Sequence, residues 1–190
     1  MSSANAAAVR HPWRSETVAS TVRAVVIVLV GAALIGGATS PAQGFLPDWL
    51  GSLANSAGGW SMFAFLLVWL SRARPLLGAI LGIVAFEAML EAYGVVSIWR
   101  GYYYAAPLQN MYTVPGIAAG LILGACAAYV RWGRPARRWL AVLPLTVVLM
   151  AEGAYGLLFI SDTTSPVYWT LDIVAGAAFL AAALWRSRRV

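Results

Sequence analysis

Six apolar runs divide this chain of 190 residues, each close to the ~20 residues a helix needs to cross ~30 Å of hydrocarbon. They fall at about 22–38, 56–71, 76–98, 114–131, 139–160 and 167–185. In lipid every backbone N–H and C=O must be satisfied within the protein, so apolar runs of this length specify helices. The expected fold is an all-α integral membrane protein with six transmembrane helices. Residues 22–187 form its single transmembrane domain, 1–21 a polar, basic tail, and 188–190 a basic end. Residues 1–20 lack the apolar stretch of a cleaved signal peptide.

The basic residues orient this bundle. The net charge of +6 is carried by arginine alone, because the chain has no lysine. Every arginine but Arg100 lies in a tail, at the start of the first span, or in the 71–75 and 131–138 turns. The positive-inside rule then places both termini in the cytoplasm and the 39–59, 99–113 and 161–166 connections outside. Arginines at span ends report orientation, so no nucleic-acid partner is expected; the partner is the bilayer. An all-Arg, Ala-rich composition also suits a bacterial inner membrane protein.

Much chemistry is missing. Without lysine there is no Schiff base, and the one histidine, His11, sits in the tail, so no metal or haem site is expected inside the membrane. Cys126 stands alone and reads as packing volume. No GxSxG, HExxH, P-loop or Asp-rich metal motif occurs. The chain is not expected to be an enzyme or to carry a cofactor.

What remains is acid in the apolar runs. Glu87 and Glu91 are one helical turn apart on one face of the third span; Glu152 lies in the fifth and Asp172 in the sixth. Carboxyl groups at membrane depth are costly and face a bundle interior or a wet cavity. The third span reads MLEAYG and the fifth MAEGAYG, a weak internal repeat that singles out Tyr93 and Tyr155 beside the acids. Above them Trp60, Trp99, Tyr102, Tyr103, Tyr104, Tyr112, Tyr168 and Trp169 gather at the outer level. Belts of Trp and Tyr are ordinary at membrane interfaces, yet such rings above carboxylates also hold organic cations. The candidate ligand-binding set is Glu87, Glu91, Tyr93, Glu152, Tyr155 and Asp172. Its opposing reading is protonated acids bonding helix to helix. Two further details concern packing. Ala32/Gly36 and Ala33/Gly37 give the first span close-packing faces, and FLPDWLGSL reads as a short interfacial turn anchored by Trp49.

The six-helix architecture, the long 39–59 connection and the Glu91/Tyr93 region together resemble the substrate-binding S components of energy-coupling-factor vitamin transporters. The resemblance implies an outward-facing site under the connection between the first two helices. It also implies a transmembrane coupling subunit and cytosolic ATPases as partners. LANSAGGWSMFAFLL, the Arg-Pro turn after it and the later GYYY are similar to a group of uncharacterised bacterial six-helix proteins. The expected function is therefore binding or transport of a small cationic molecule. The alternatives are an accessory or assembly subunit of a larger membrane complex, and a proton-coupled carrier acting alone.

Overall fold

The computed structural model describes residues 16–188, and every described element is helical. The tail up to residue 15, His11 with it, and the last two residues of the expected basic end lie outside the described residues. The six α-helices are α1 (Val18–Phe45), α2 (Ala57–Ser71), α3 (Pro75–Trp99), α4 (Thr113–Trp132), α5 (Leu143–Phe159) and α6 (Pro166–Arg188), with 3₁₀ turns at Gly51–Asn55 and Pro135–Ala141.

Local chemistry sets the helix starts. Thr17 and Ser20 form a reciprocal capping box ahead of α1, satisfying donors that have no carbonyl one turn back. Ser56 caps α2 by accepting the Gly59 N–H at 2.8 Å. Proline opens α3 and α6 and lies in the first turn of α5, where its missing N–H costs nothing. This corrects the fifth run. Residues 139–141 belong to the 3₁₀ turn, and the α-helix begins at Leu143 with Pro144 in its first turn.

The first helix needs a larger correction. It does not end at residue 38 but continues through Pro41 to Phe45, shortening the expected 39–59 connection. Proline removes its own N–H and crowds the carbonyl of Gly37 one turn back, and side chains hold the surrounding turn. Thr39 Oγ1 donates to the Ile35 carbonyl at 2.9 Å. The Arg100 guanidinium, at the end of α3, donates to the carbonyl and hydroxyl of Ser40, and Ser97 joins the same hydroxyl at 3.0 Å. A cation at a helix C-terminal turn also complements the backbone dipole.

Glycine brings the helices together. Gly78 and Gly82 of α3 face Gly120 and Gly124 of α4 backbone to backbone. On α1, Gly36 sits on the backbone of Met89, and Ala32 is fully buried while Ala33 is exposed. The Ala32/Gly36 face therefore packs inside its own bundle. Val28, Val68, Met89, Leu145 and Leu149 fill the centre at 0% exposure.

Five segments are long and apolar enough to cross a membrane: Val18–Phe45, Pro75–Trp99, Thr113–Trp132, Pro135–Phe159 and Pro166–Arg188. They display apolar side chains outward, Val26, Leu34, Val147, Leu158 and Val174 among them, as a multi-pass membrane protein must. The exception is α2. Its 15 residues extend about 22 Å at ~1.5 Å each, yet it touches α1, α3, α4 and α5 and is the innermost helix of the bundle.

Candidate functional site

A short helix at the centre of a bundle has two consequences, and the site follows from both. Its first turn lies inside the bundle, with Gly58 and Gly59 buried, so the N–H groups there need an acceptor. It also leaves space above itself.

Glu152 of α5 supplies the acceptor. Its carboxylate takes hydrogen bonds from Ser56 Oγ at 2.7 Å, from the Ala57 N–H at 2.8 Å and from the Gly58 N–H. An anion at a helix N-terminus is favoured by the dipole as well as by the donors. Asp172 of α6 stands beside it: a Cβ on Gly58 would lie 2.5 Å from Glu152 Oε2 and 2.9 Å from Asp172 Oδ2. Asp172 Oδ2 and the Tyr168 hydroxyl are buried there as well. A side chain at position 58 would push both carboxylates aside. Glu152 therefore ties α5 to the start of α2.

The space above α2 is a cavity of about 370 Å³. Its floor is the first turn of α2, with Ser56, Ala57, Trp60 and Ser61; α3 contributes Phe86, Glu87, Leu90 and Tyr93. The other wall comes from the start of α4, with Gly116, and from Tyr104, Asn110 and Tyr112 of the preceding loop. Gln43, at the end of α1, and Asn55, in the α1–α2 connection, complete the lining. They are joined: Gln43 Nε2 donates to Asn55 Oδ1 at 2.6 Å and meets the Tyr93 hydroxyl at 3.3 Å.

Three rings stand edge to face along one wall. Trp60 and Tyr93 have centroids 6.2 Å apart, and Tyr93 and Tyr104 5.6 Å apart. Gly94 makes this stack possible, because the Tyr104 ring occupies the place a side chain would take there. The Tyr104 hydroxyl donates to the Leu90 carbonyl at 3.0 Å. Burial first, then the neighbouring Glu91 and Tyr93, pushes that hydroxyl up to about 12, so it remains a donor at neutral pH.

Among the described residues, Glu87 is the one carboxylate in the lining. It nests against α4 where Gly116 lacks a side chain, a Cβ there falling 3.0 Å from Oε1. Both of its oxygens are buried, and neither has a hydrogen-bond partner among the described residues. Buried carboxylate oxygens are ordinarily satisfied several times over. A group left this way is an acceptor waiting for a donor.

The six expected site residues thus separate. Glu87 and Tyr93 line the cavity. Glu91, one turn further along α3, accepts the Leu108 N–H at 2.8 Å and holds a loop residue in the left-handed region (φ 57°). Glu152 and Asp172 belong to the α2 cap. Tyr155 is 54% exposed and stacks on Phe159, 5.2 Å between centroids, on a face away from the cavity. The structure sets Glu87 and Tyr93 on the cavity and leaves Glu91, Glu152, Tyr155 and Asp172 out of its lining. Each helical residue advances the side chain by about 100°, and the fifth-helix motif holds one more residue between Glu and Tyr than the third. The two tyrosines cannot both share a face with their acids. Gln43, Asn55, Ser61, Phe86 and Gly116 were not expected; apart from the polar side chains near the 39–59 connection, the sequence carries no signal for them.

A family model described as a family of unknown function (DUF6518) matches residues 15–190, and the chain belongs to that family. No curated protein and no solved structure matches it.

Proposed function

We propose that this member of the DUF6518 family is a six-span bacterial inner-membrane protein that binds, and in transport would pass on, a small organic cation. Both termini are cytoplasmic, and α2 is the sixth crossing, shortened because it starts inside the bundle. The cavity lies at the end holding the C-termini of α1 and α3 and the N-termini of α2 and α4. That end carries Arg100 alone, which supports an outward-facing site.

The observation that carries the reading is Glu87. A carboxylate with two unpartnered, buried oxygens beside stacked Trp60, Tyr93 and Tyr104 offers a cation both charge pairing and ring faces. The vitamin-importer version draws support from the α1–α2 connection, whose Asn55 lines the cavity together with Gln43. It adds a coupling subunit and cytosolic ATPases as partners. The accessory-subunit reading draws on Glu91 and Glu152, both engaged in internal ties.

Equilibrium binding of organic cations to the purified protein in nanodiscs tests the proposal. Wild-type protein should bind, and Glu87→Gln should lose affinity with its thermal unfolding unchanged. Equal affinity in both proteins would sink the idea. A fixed large partner with no small-molecule ligand would favour the accessory subunit.

A further inference from the structure

Resting on that reading, we infer that the ligand is a singly charged amine that carries N–H donors and a flat apolar body, rather than a quaternary ammonium, a zwitterion or a dication. The inference comes from what the cavity offers and what it withholds.

The donor requirement follows from Glu87. Its two oxygens lack partners among the described residues, and a buried acceptor left unmade costs far more than a made bond gains. A primary or secondary ammonium delivers N–H groups and charge together. A quaternary ammonium supplies only charge, and its methyl groups would seal the oxygens from any donor. Aromatic cages alone suit quaternary nitrogen well, so the carboxylate is what separates the two chemistries.

The charge count follows from the other ionisable groups. Glu91 and Glu152 are occupied by backbone N–H groups, and none of Glu91, Glu152 or Asp172 lines the cavity. One carboxylate compensates one positive charge, and a second cationic end would be desolvated without a partner. Among the described residues no arginine lines the cavity, and Arg100, at the same end of the bundle, is held on Ser40 and over the Tyr102 ring. A ligand carboxylate or phosphate would therefore enter unpaired. This excludes amino acids and phosphorylated cofactors.

The ligand body follows from shape. A space of about 370 Å³ corresponds to roughly a dozen waters at ~30 Å³ each, enough for one aromatic ring with a short amine side chain. The Trp60–Tyr93–Tyr104 stack gives such a ring edges and faces to meet. Gln43 and Asn55, whose amides lie at the α1–α2 side, can receive a ring hydroxyl.

The test is a ligand panel on the unaltered full-length protein in nanodiscs, read by isothermal titration calorimetry. The probes are 2-phenylethylamine, its N,N,N-trimethyl derivative, L-phenylalanine, neutral 2-phenylethanol and butylamine. The amine should bind, and the trimethyl derivative should bind about a hundredfold more weakly, the fold-change equivalent of leaving a buried acceptor without its hydrogen bond. Phenylalanine and phenylethanol should show no heat of binding. Glu87→Gln should abolish the amine signal; if that variant fails to fold, the wild-type comparison between ligands still decides. Trimethyl and primary amines binding equally, both through Glu87, would overturn the N–H inference and leave the cation reading standing. The same holds if butylamine binds through Glu87 and no phenyl compound does. Phenylethanol binding as tightly as the amine, or no binding by any probe at millimolar concentration, would overturn both.

Discussion

Replacing Glu152 with alanine should unfold the protein about 10 °C earlier without touching the cavity's own carboxylate. The magnitude follows from what the carboxylate holds. It accepts from Ser56 Oγ, the Ala57 N–H and the Gly58 N–H. Ala57 borders the cavity and can bond water instead, so its loss costs about 1 kcal/mol; Ser56 loses a similar amount, while Gly58 is buried and its stranded donor costs about 1–3 kcal/mol. The sum is about 3–5 kcal/mol, and for a chain of this size each kcal/mol lowers the midpoint by about 2–4 °C. Glu152→Gln keeps one acceptor oxygen and turns an NH₂ toward a donor, so roughly half the loss is expected. Because Asp172 abuts the same group, Glu152→Gln and Asp172→Asn should combine non-additively. The assay is near-ultraviolet circular dichroism during heating, in one detergent for all variants. Glu152→Ala melting within about 2 °C of wild type would refute the cap. Loss of amine binding in a folded Glu152→Gln protein would instead make Glu152 part of the ligand site.

Four further outcomes follow from particular contacts. Gly82→Ala should destabilise by about 1–3 kcal/mol or more, because its Cβ would meet the Gly120 carbonyl, whereas Gly51→Ala, with nothing within 4 Å, should be neutral; chemical denaturation compares them. Gly116→Ala should shift the Glu87 carboxylate, whose Oε1 would lie 3.0 Å from the new Cβ, and change amine affinity several-fold with little change in melting. Tyr155→Leu should leave binding unaltered and stability within ~0.5 kcal/mol, since its ring lies on an exposed face; weakened binding would mean the cavity reaches α5. The Tyr104 hydroxyl is raised from 10 to about 12, so between those values the unfolded chain has released a proton that the folded protein keeps. Stability should therefore fall as pH rises through 10 toward 12, and Tyr104→Phe should flatten that decline in urea titrations.

The helices were legible where apolar runs met polar punctuation, because lipid-like surroundings leave the backbone little choice but helix. The expected 76–98 and 114–131 became Pro75–Trp99 and Thr113–Trp132. The boundary that failed was set by a tertiary contact: nothing local to Pro41 says that Arg100, about sixty residues on, will hold Ser40 and carry α1 past it. The site was legible as an acid-and-aromatic chemistry, but the choice among acids was not. The repeat sets Glu91 and Glu152 side by side as candidates, yet both are claimed by backbone N–H groups, from the loop after α3 and from the first turn of α2. Glu87 stands out only once the partners of the others are known. Sequence places a residue along a helix to within a turn; which way it faces depends on rotation, at about 100° per residue, and on what folds back onto it.

The cavity and the acid cap are two sides of one structural decision. Had α2 extended another two turns, it would have filled the space that Trp60, Glu87 and Tyr93 now border, and its N-terminal donors would have reached the interface. Starting at Ala57 instead buries the Gly58 N–H, and a carboxylate on a neighbouring helix satisfies it. Glu152 does so on the α5 side, leaving the α3 side of the same turn free of compensating charge. Glu87, across the cavity on α3, then faces no donor of its own. A central helix that begins too low thus explains both why an acid lies deep in α5 and why a second acid, in α3, is left available for a ligand.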